Sequence, residues 1–418
     1  MATHDSTAHD AVIKDYYTKD KVLELSFYEN PLFAMMPKKM AGGRRYVQPV
    51  EFGHPGNASA GFSTAMSNSS VSKYEDFLLT RVKQYQRVMV DHELLLSTGK
   101  ADEAFMPAFD EFDRGFRSLG EKLARRLYRT KSGSIGQMAN SAVNVLVITL
   151  ADKADAFNFH IGQVLAFATN DGGGALLDAG DTTTVTAIDR EGGTITVADQ
   201  LDTKITGITT TSYVYPAGDY DLGVSGLENW LPVNSRATAL AASFFGVTRN
   251  VDSDRLGGIY LDGTTLGGLD EVLMKLVAKV MKHGGRPTHI FLNPETFANL
   301  QLLWNSKAYV NIESQVRTSD GTLLPIGFPG MKVNIGGANV RIYGDRSCPS
   351  NRIYALQMDT WCVWHTGEIP NFLGDKFTGK ILKLAESEDS LEARVGAYLQ
   401  LGCRAPGWNG VAKIAVQS

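Results

Sequence analysis

Phe105, Phe109, Phe112, Phe116, Leu119, Leu123 and Leu127 trace a single stripe along "ADEAFMPAFDEFDRGFRSLGEKLARRLYRTKSG". Side chains spaced by three or four residues share one face of an α-helix, so this stretch is predicted to be a helix. Asp102, Glu103, Asp110, Glu111 and Asp113 come early, while Lys122, Arg125, Arg126, Arg129 and Lys131 come late. That order complements the helix dipole at both ends. At 1.5 Å per residue the helix would be roughly 40 Å long. A stripe of that length has to be covered from end to end, so the chain must build a core along a rod. A row of phenylalanines can line a cofactor, but core packing is the commoner use of such a stripe.

Ahead of the helix lie two extended segments, Gly42 to Gly53 and residues 76 to 93 ("DFLLTRVKQYQRVMVDHE"), flanking the Gly, Ser and Asn-rich "HPGNASAGFSTAMSNSSVS". Together they predict a long hairpin around a flexible tip. Arg81, Lys83, Tyr85 and Arg87 share one strand face, with Gln84 and Gln86 on the other. A two-stranded ribbon of this polarity is marginal alone and needs a partner surface. Residues 1 to 40 read as a tail that becomes ordered only by lying on something else.

Residues 151 to 222 turn to short alternating runs of Thr, Val, Ile, Gly and Asp, and "TTTVTAIDREGGTITVAD" predicts a hairpin around Glu191, Gly192 and Gly193. This is a small β subdomain set between helical parts. Leu269, Leu273, Leu276, Val277, Val280 and Met281 then form a second helical stripe, stopped by Gly284 and Gly285. His289 to Leu292 is a short apolar strand, and Asn293 caps a helix that starts at Pro294. Later strands are expected in "MKVNIGGANVRIYGD" and "NRIYALQMDTWCVWH", with "EARVGAYLQLG" and "GVAKIAV" as a closing pair.

At 418 residues the chain is long enough for two or three lobes. Its 43% apolar and 21% charged residues are those of an ordinary globular protein. A formal net charge of −4, from 41 basic and 45 acidic residues, offers no basic excess for nucleic-acid binding. Cys348, Cys362 and Cys403 lie far apart and suggest neither a disulfide framework nor a zinc site. No apolar run approaches the roughly 20 residues that span a bilayer.

The search for chemistry yields little. "GDKFTGKI", Gly374 to Ile381, has the Gly-x4-Gly-Lys frame of a phosphate loop, but Ile381 stands where a magnesium-holding hydroxyl is needed. Its Lys380 therefore reads as part of a surface turn. "DGGG" at 171 to 174 sits between β runs and reads as a turn. The eight histidines are scattered with no metal-ligand spacing, and His92 reads as structural. At Asn293, Pro294 and Glu295, capping accounts for all three residues. No catalytic, cofactor or metal site is expected.

The order of parts carries more information than any motif. "FFGVTRNVDSDRLGG", "PTHIFLNPETFANLQ", "IYGDRSCPSNRIYALQMD" and "EARVGAYLQLGCRAP" follow one another in a chain that resembles the major capsid protein of tailed bacteriophages, the Hong Kong phage type of shell fold. The resemblance implies an α+β fold: an N-terminal arm at 1–40, an extended hairpin loop at 41–95 and a peripheral domain with a spine helix at 96–150. It further implies an inserted β subdomain at 151–222, an axial domain at 223–360 and return strands of the peripheral domain at 361–418. It implies hexamers and pentamers of an icosahedral shell, assembled in a bacterial cytoplasm around double-stranded DNA. Implied partners are a scaffolding protein, a portal and, in some members, a decoration protein. Some members cross-link subunits through Lys to Asn bonds; Lys73 lies near the hairpin tip, but no Asn and Glu partners can be placed for it. A cellular compartment shell of the same fold is the alternative reading, and a nucleotide-dependent enzyme a remoter one. The candidate inter-subunit contact sets Arg81, Lys83 and Arg87 of one copy against Asp110, Glu111 and Asp113 of the next.

Overall fold

The computed structural model of the protein describes residues 30–415 apart from 44, 57, 92–100, 306–310, 314–329, 336, 375–382 and 385–388. For 90–91, 101–113, 305, 311–313, 330 and 384 it describes the backbone only. The predicted spine is one helix, Ala101–Tyr128, of 28 residues. Phe116, Leu119, Leu123 and Leu127 are all fully buried on it, as the spacing requires. The earlier phenylalanines of the stripe lie outside the described side chains.

Around the spine lies the largest core. It gathers Leu32 and Phe33 from the helix Pro31–Met35, Phe77 and Leu79 from the hairpin, and Val395, Leu399 and Leu401 from the long strand Ser390–Cys403. That strand is the backbone of a six-stranded sheet, pairing antiparallel with Trp361–His365 and Val82–Asp91.

A seven-stranded sheet forms the axial lobe, with His289–Leu292 between Ala338–Gly344 and Arg352–Leu356. Its central strands His289–Leu292, Arg352–Leu356 and Gly410–Lys413 are buried on both faces, and the alternation assigns each buried residue to one of two cores. Ile290, Ile342, Ile353 and Ala412 face the helices Leu269–Lys282 and Pro294–Asn305. Phe291, Tyr343, Tyr354 and Val411 face the spine core instead. Side chains two apart point the same way, so one sheet joins two cores. Asp345, just past the strand end, accepts hydrogen bonds from Tyr128 Oη (2.9 Å), Leu32 N (3.2 Å) and Ser347 N (2.9 Å). It ties the end of the spine to the axial lobe, and burial raises its carboxyl above the usual range.

A third core belongs to the inserted β subdomain, whose six strands follow the order Gly136–Gln137, Tyr213–Pro216, Val164–Ala168, Thr183–Asp189, Thr194–Val197 and Val147–Thr149. The expected hairpin is there, Thr183–Asp189 against Thr194–Val197. The sheet also recruits residues 136–149, ahead of the residue where the composition changes.

Two strand readings are corrected. The extended segment 76–93 is not one arm strand: Lys73–Thr80 pairs with Arg45–Gly53, whereas Val82–Asp91 pairs with Ser390–Cys403. The expected closing pair is no pair, because the turn Pro406–Trp408 carries the chain out of the six-stranded sheet and Gly410–Lys413 inserts between Ile259–Asp262 and Arg352–Leu356. The two strands in "NRIYALQMDTWCVWH" enter different sheets, Arg352–Leu356 the seven-stranded one and Trp361–His365 the six-stranded one. The physical reason is common to both corrections. Local alternation shows that a segment is extended, but its partner is chosen by apolar surface hundreds of residues away.

Candidate assembly surface

The ribbon Arg45–Gly53 and Lys73–Thr80 is half-finished as a structural element. At its base Tyr46, Gln48 and Val50 alternate inward and meet Phe77 and Leu79. Phe77 packs its ring 5.1 Å from Trp230, and Leu78 N donates to Phe245 O at 3.0 Å. Arg255 Nη1 holds Phe52 O at 2.5 Å. The close approach to the sheet below needs Gly402, where a Cβ would sit 2.8 Å from Leu79 Cδ1.

Beyond that base the ribbon is mostly exposed among the described residues. The tip, read from sequence as flexible, carries a short helix, Phe62–Ser67. Phe62 and Met66, four apart and so on one face, are 81% and 65% exposed, and Val71 is 83% exposed. Val47 and Tyr74 add exposed apolar surface on the strands. The sequence reading missed these residues, although the Phe62 and Met66 spacing was a usable signal inside a polar stretch.

The basic row stands elsewhere. Arg81 is the joint between ribbon and sheet, with its Nη1 donating to Thr366 Oγ1 at 3.0 Å and its guanidinium 6.0 Å from the Tyr398 ring. Lys83 and Arg87 lie on Val82–Asp91, an edge strand among the described residues, where charged side chains discourage open-ended strand pairing. Lys83 is exposed. Arg87 is engaged within the chain, its Nε 2.6 Å from Glu392 Oε2, while Arg394 holds the other carboxylate oxygen. Burial pushes the Glu392 carboxyl up, but Arg394 and Arg87 outweigh it and hold the group below the usual carboxylate range. Asp110, Glu111 and Asp113 lie on the first half of the spine helix, and their side chains are outside the described residues.

The other sequence candidates take structural places. Asn293 Oδ1 accepts from Glu295 N at 3.1 Å, and its Nδ2 donates to Cys348 O at 3.3 Å, so the junction is a capped scaffold element. Gly172 N and Gly174 N are taken by the hydroxyls of Tyr215 and Tyr220, and Gly173 N by Asp221. These glycines form a turn. Lys73 opens the second ribbon strand opposite Gly53. His92 and the loop residues 375–381, Lys380 included, lie outside the described residues. No described helix is long and apolar enough to cross a membrane.

A ribbon with an uncovered tip, a spine helix, a sheet shared by two cores and an inserted β subdomain together match a known architecture. A chain of the cyanophage A-1(L) capsid asymmetric unit superposes on 93% of this chain and 94% of its own, with a TM-score of 0.52 at 13% identity. The fold is that of a phage capsid subunit. The capsid of a native GTA particle superposes more loosely (TM-score 0.43, 9% identity, 92% and 89% covered). The virus-like particle from Pyrococcus furiosus is looser again (TM-score 0.37, 10% identity, 94% and 97% covered). No family model matches the sequence, and no curated protein matches it.

Proposed function

We propose that this chain is a structural major capsid protein, whose copies assemble as hexamers and pentamers into an icosahedral shell enclosing double-stranded phage DNA. The observation that supports it best is the ribbon: built into the core at its base, exposed and apolar at its tip. Covering a side chain such as Phe62, Met66 or Val71 stabilises by about 1.5–3 kcal/mol, whereas an exposed charge pair contributes about 0.2–1 kcal/mol. The tip is thus the stronger half of an inter-subunit contact. Lys83 and Arg81, facing Asp110, Glu111 and Asp113 of a neighbour, would set register rather than affinity. A scaffolding protein guides closure, a portal occupies one vertex and a decoration protein can add to the outside.

In this reading the expected domains stand with three shifted bounds, the β subdomain beginning at 136, the arm ending near Arg81 and the last strand joining the axial sheet, and the mature location is the virion. Negative-stain images test it, with the purified chain viewed alone and after co-production with its scaffolding partner. Closed isometric shells under the second condition support the reading, and a monodisperse monomer under both sinks it. Nuclease-protected DNA inside the shells separates a virion from a compartment that encloses protein cargo.

A further inference from the structure

A concave cavity of about 210 Å³ lies between the spine helix and the inserted β subdomain. Lys122, Arg125, Arg126 and Arg129 line it. Spacings of three, four and seven residues put all four on one helix face, where like charges repel. Their compensation is incomplete. Arg129 pairs with Asp155. Lys122 and Arg126 share Asp219, with Lys122 Nζ at 2.9 Å and Arg126 Nη2 at 3.0 Å from Oδ2. Among the described residues Arg125 donates only to carbonyls, Asn158 O at 2.5 Å and Glu121 O at 3.4 Å, while the Glu121 carboxylate is engaged by Arg346 at 3.1 Å. Among those residues, four cations on the wall therefore form ion pairs with two carboxylates.

Arg126 gives an independent indication. Its side chain is 4% exposed; Nη2 meets Asp219 Oδ2 at 3.0 Å, and among the described residues Nη1 has no hydrogen-bond partner. A buried guanidinium with idle donors is costly unless an acceptor arrives. Glycine lets the chain pack directly on this guanidinium: at Gly133, with φ +91°, a Cβ would lie 2.6 Å from Arg126 Nη1. Burial and then the charges of Arg126, Arg346 and Arg129 pull the Arg125 guanidinium down to about 10, against the opposing field of Glu121. An anion in the cavity would relieve all of these.

We propose that the cavity binds a small oligophosphate anion such as pyrophosphate, tripolyphosphate or the phosphate tail of a nucleotide. Arg125 and Arg126 present guanidinium donors to its oxygens and Lys122 a mobile point charge. Every residue of the site comes from one chain, so binding does not depend on shell assembly.

Titration calorimetry with tripolyphosphate on the purified full chain tests this. One saturable site per chain is expected, weakened at least tenfold by Lys122→Gln or Arg125→Gln. Lys275→Gln removes the same charge from a remote surface pair with Glu271 and should leave binding unchanged. In the unmodified protein, tripolyphosphate should shield Lys122 from acetylation, read by mass spectrometry, and not shield Lys275. That measurement decides the matter even where the variants fail to fold. Absence of saturable binding up to millimolar ligand, equal weakening by Lys275→Gln, or unprotected Lys122 overturns the site. An oligonucleotide without terminal phosphates that displaced tripolyphosphate and bound more tightly would overturn the small-anion assignment in favour of a nucleic-acid backbone.

Discussion

The axial lobe and the arm ribbon are both built on β-strands, yet among the described residues the first is largely covered and the second is not. In the axial lobe His289–Leu292 is buried on both faces, with helices on one side and the spine core on the other. The ribbon has a buried face only at its base, and its tip leaves Phe62, Met66 and Val71 in solvent. Apolar surface that a fold leaves uncovered at the end of a rigid lever is available to another molecule. On the proposed reading, folding and assembly are carried by separate residues, so each can be damaged without the other.

The largest separation is expected at the tip. Phe62→Ser combined with Met66→Ser should abolish shell formation in electron micrographs while leaving the denaturant midpoint of the unassembled chain unchanged. A lowered midpoint would show that the tip is part of the fold and would collapse the comparison. The opposite damage comes from Leu276→Ala in the axial core, where the side chain is fully buried. It should cost about 2–5 kcal/mol in chemical denaturation, because truncation loses the transfer free energy and leaves a cavity.

A smaller effect sharpens the axial side. His289 is held down to about 4 by burial and then by Arg341. The unfolded chain, with an ordinary imidazole near 6.5, therefore takes up the proton first as pH falls. Stability contributed by the neutral ring is complete above about 6.5 and is lost as pH falls toward about 4. His289→Gln should flatten the stability profile across that window by about 1–2 kcal/mol, measured by denaturation at each pH. The smallest change belongs to the edge strand: Arg87→Gln should cost about 0.2–1 kcal/mol, since Arg87 is half exposed and Arg394 still holds Glu392. A loss of several kcal/mol would mean that the edge strand behaves like the axial core.

Much of this fold was legible because its elements are set by short-range periodicity. The stripe ending in Phe116, Leu119, Leu123 and Leu127 could be satisfied only by a long helix with one buried face, and Asn293 with Pro294 could serve as a cap without any knowledge of the sheet. The hairpin around Gly192 and Gly193 was equally local. The cavity on the spine was not legible. Lys122, Arg125, Arg126 and Arg129 read as a favourable dipole partner for the helix end, and nothing near them announces Asp219, 97 residues away. The tip was misread for a subtler reason: Gly, Ser and Asn around Phe62 and Met66 dilute an apolar pair that matters only once it is held away from the core.

By itself the sequence determined which segments are helical or extended, where they are capped, and that two β-rich regions flank no recognisable chemistry. It also determined the order of parts by which the chain resembles a phage shell protein. Which strand meets which was decided only in three dimensions. Arg81 ends one sheet and begins another because the ribbon partner Arg45–Gly53 stops there and Ser390–Cys403 offers a longer edge. Gly410–Lys413 leaves its sequence neighbour for the axial sheet because Val411 and Ala412 can be buried on both faces there. Secondary structure follows from neighbours a few residues away, whereas strand partnership follows from the total apolar area that distant segments can remove from water together.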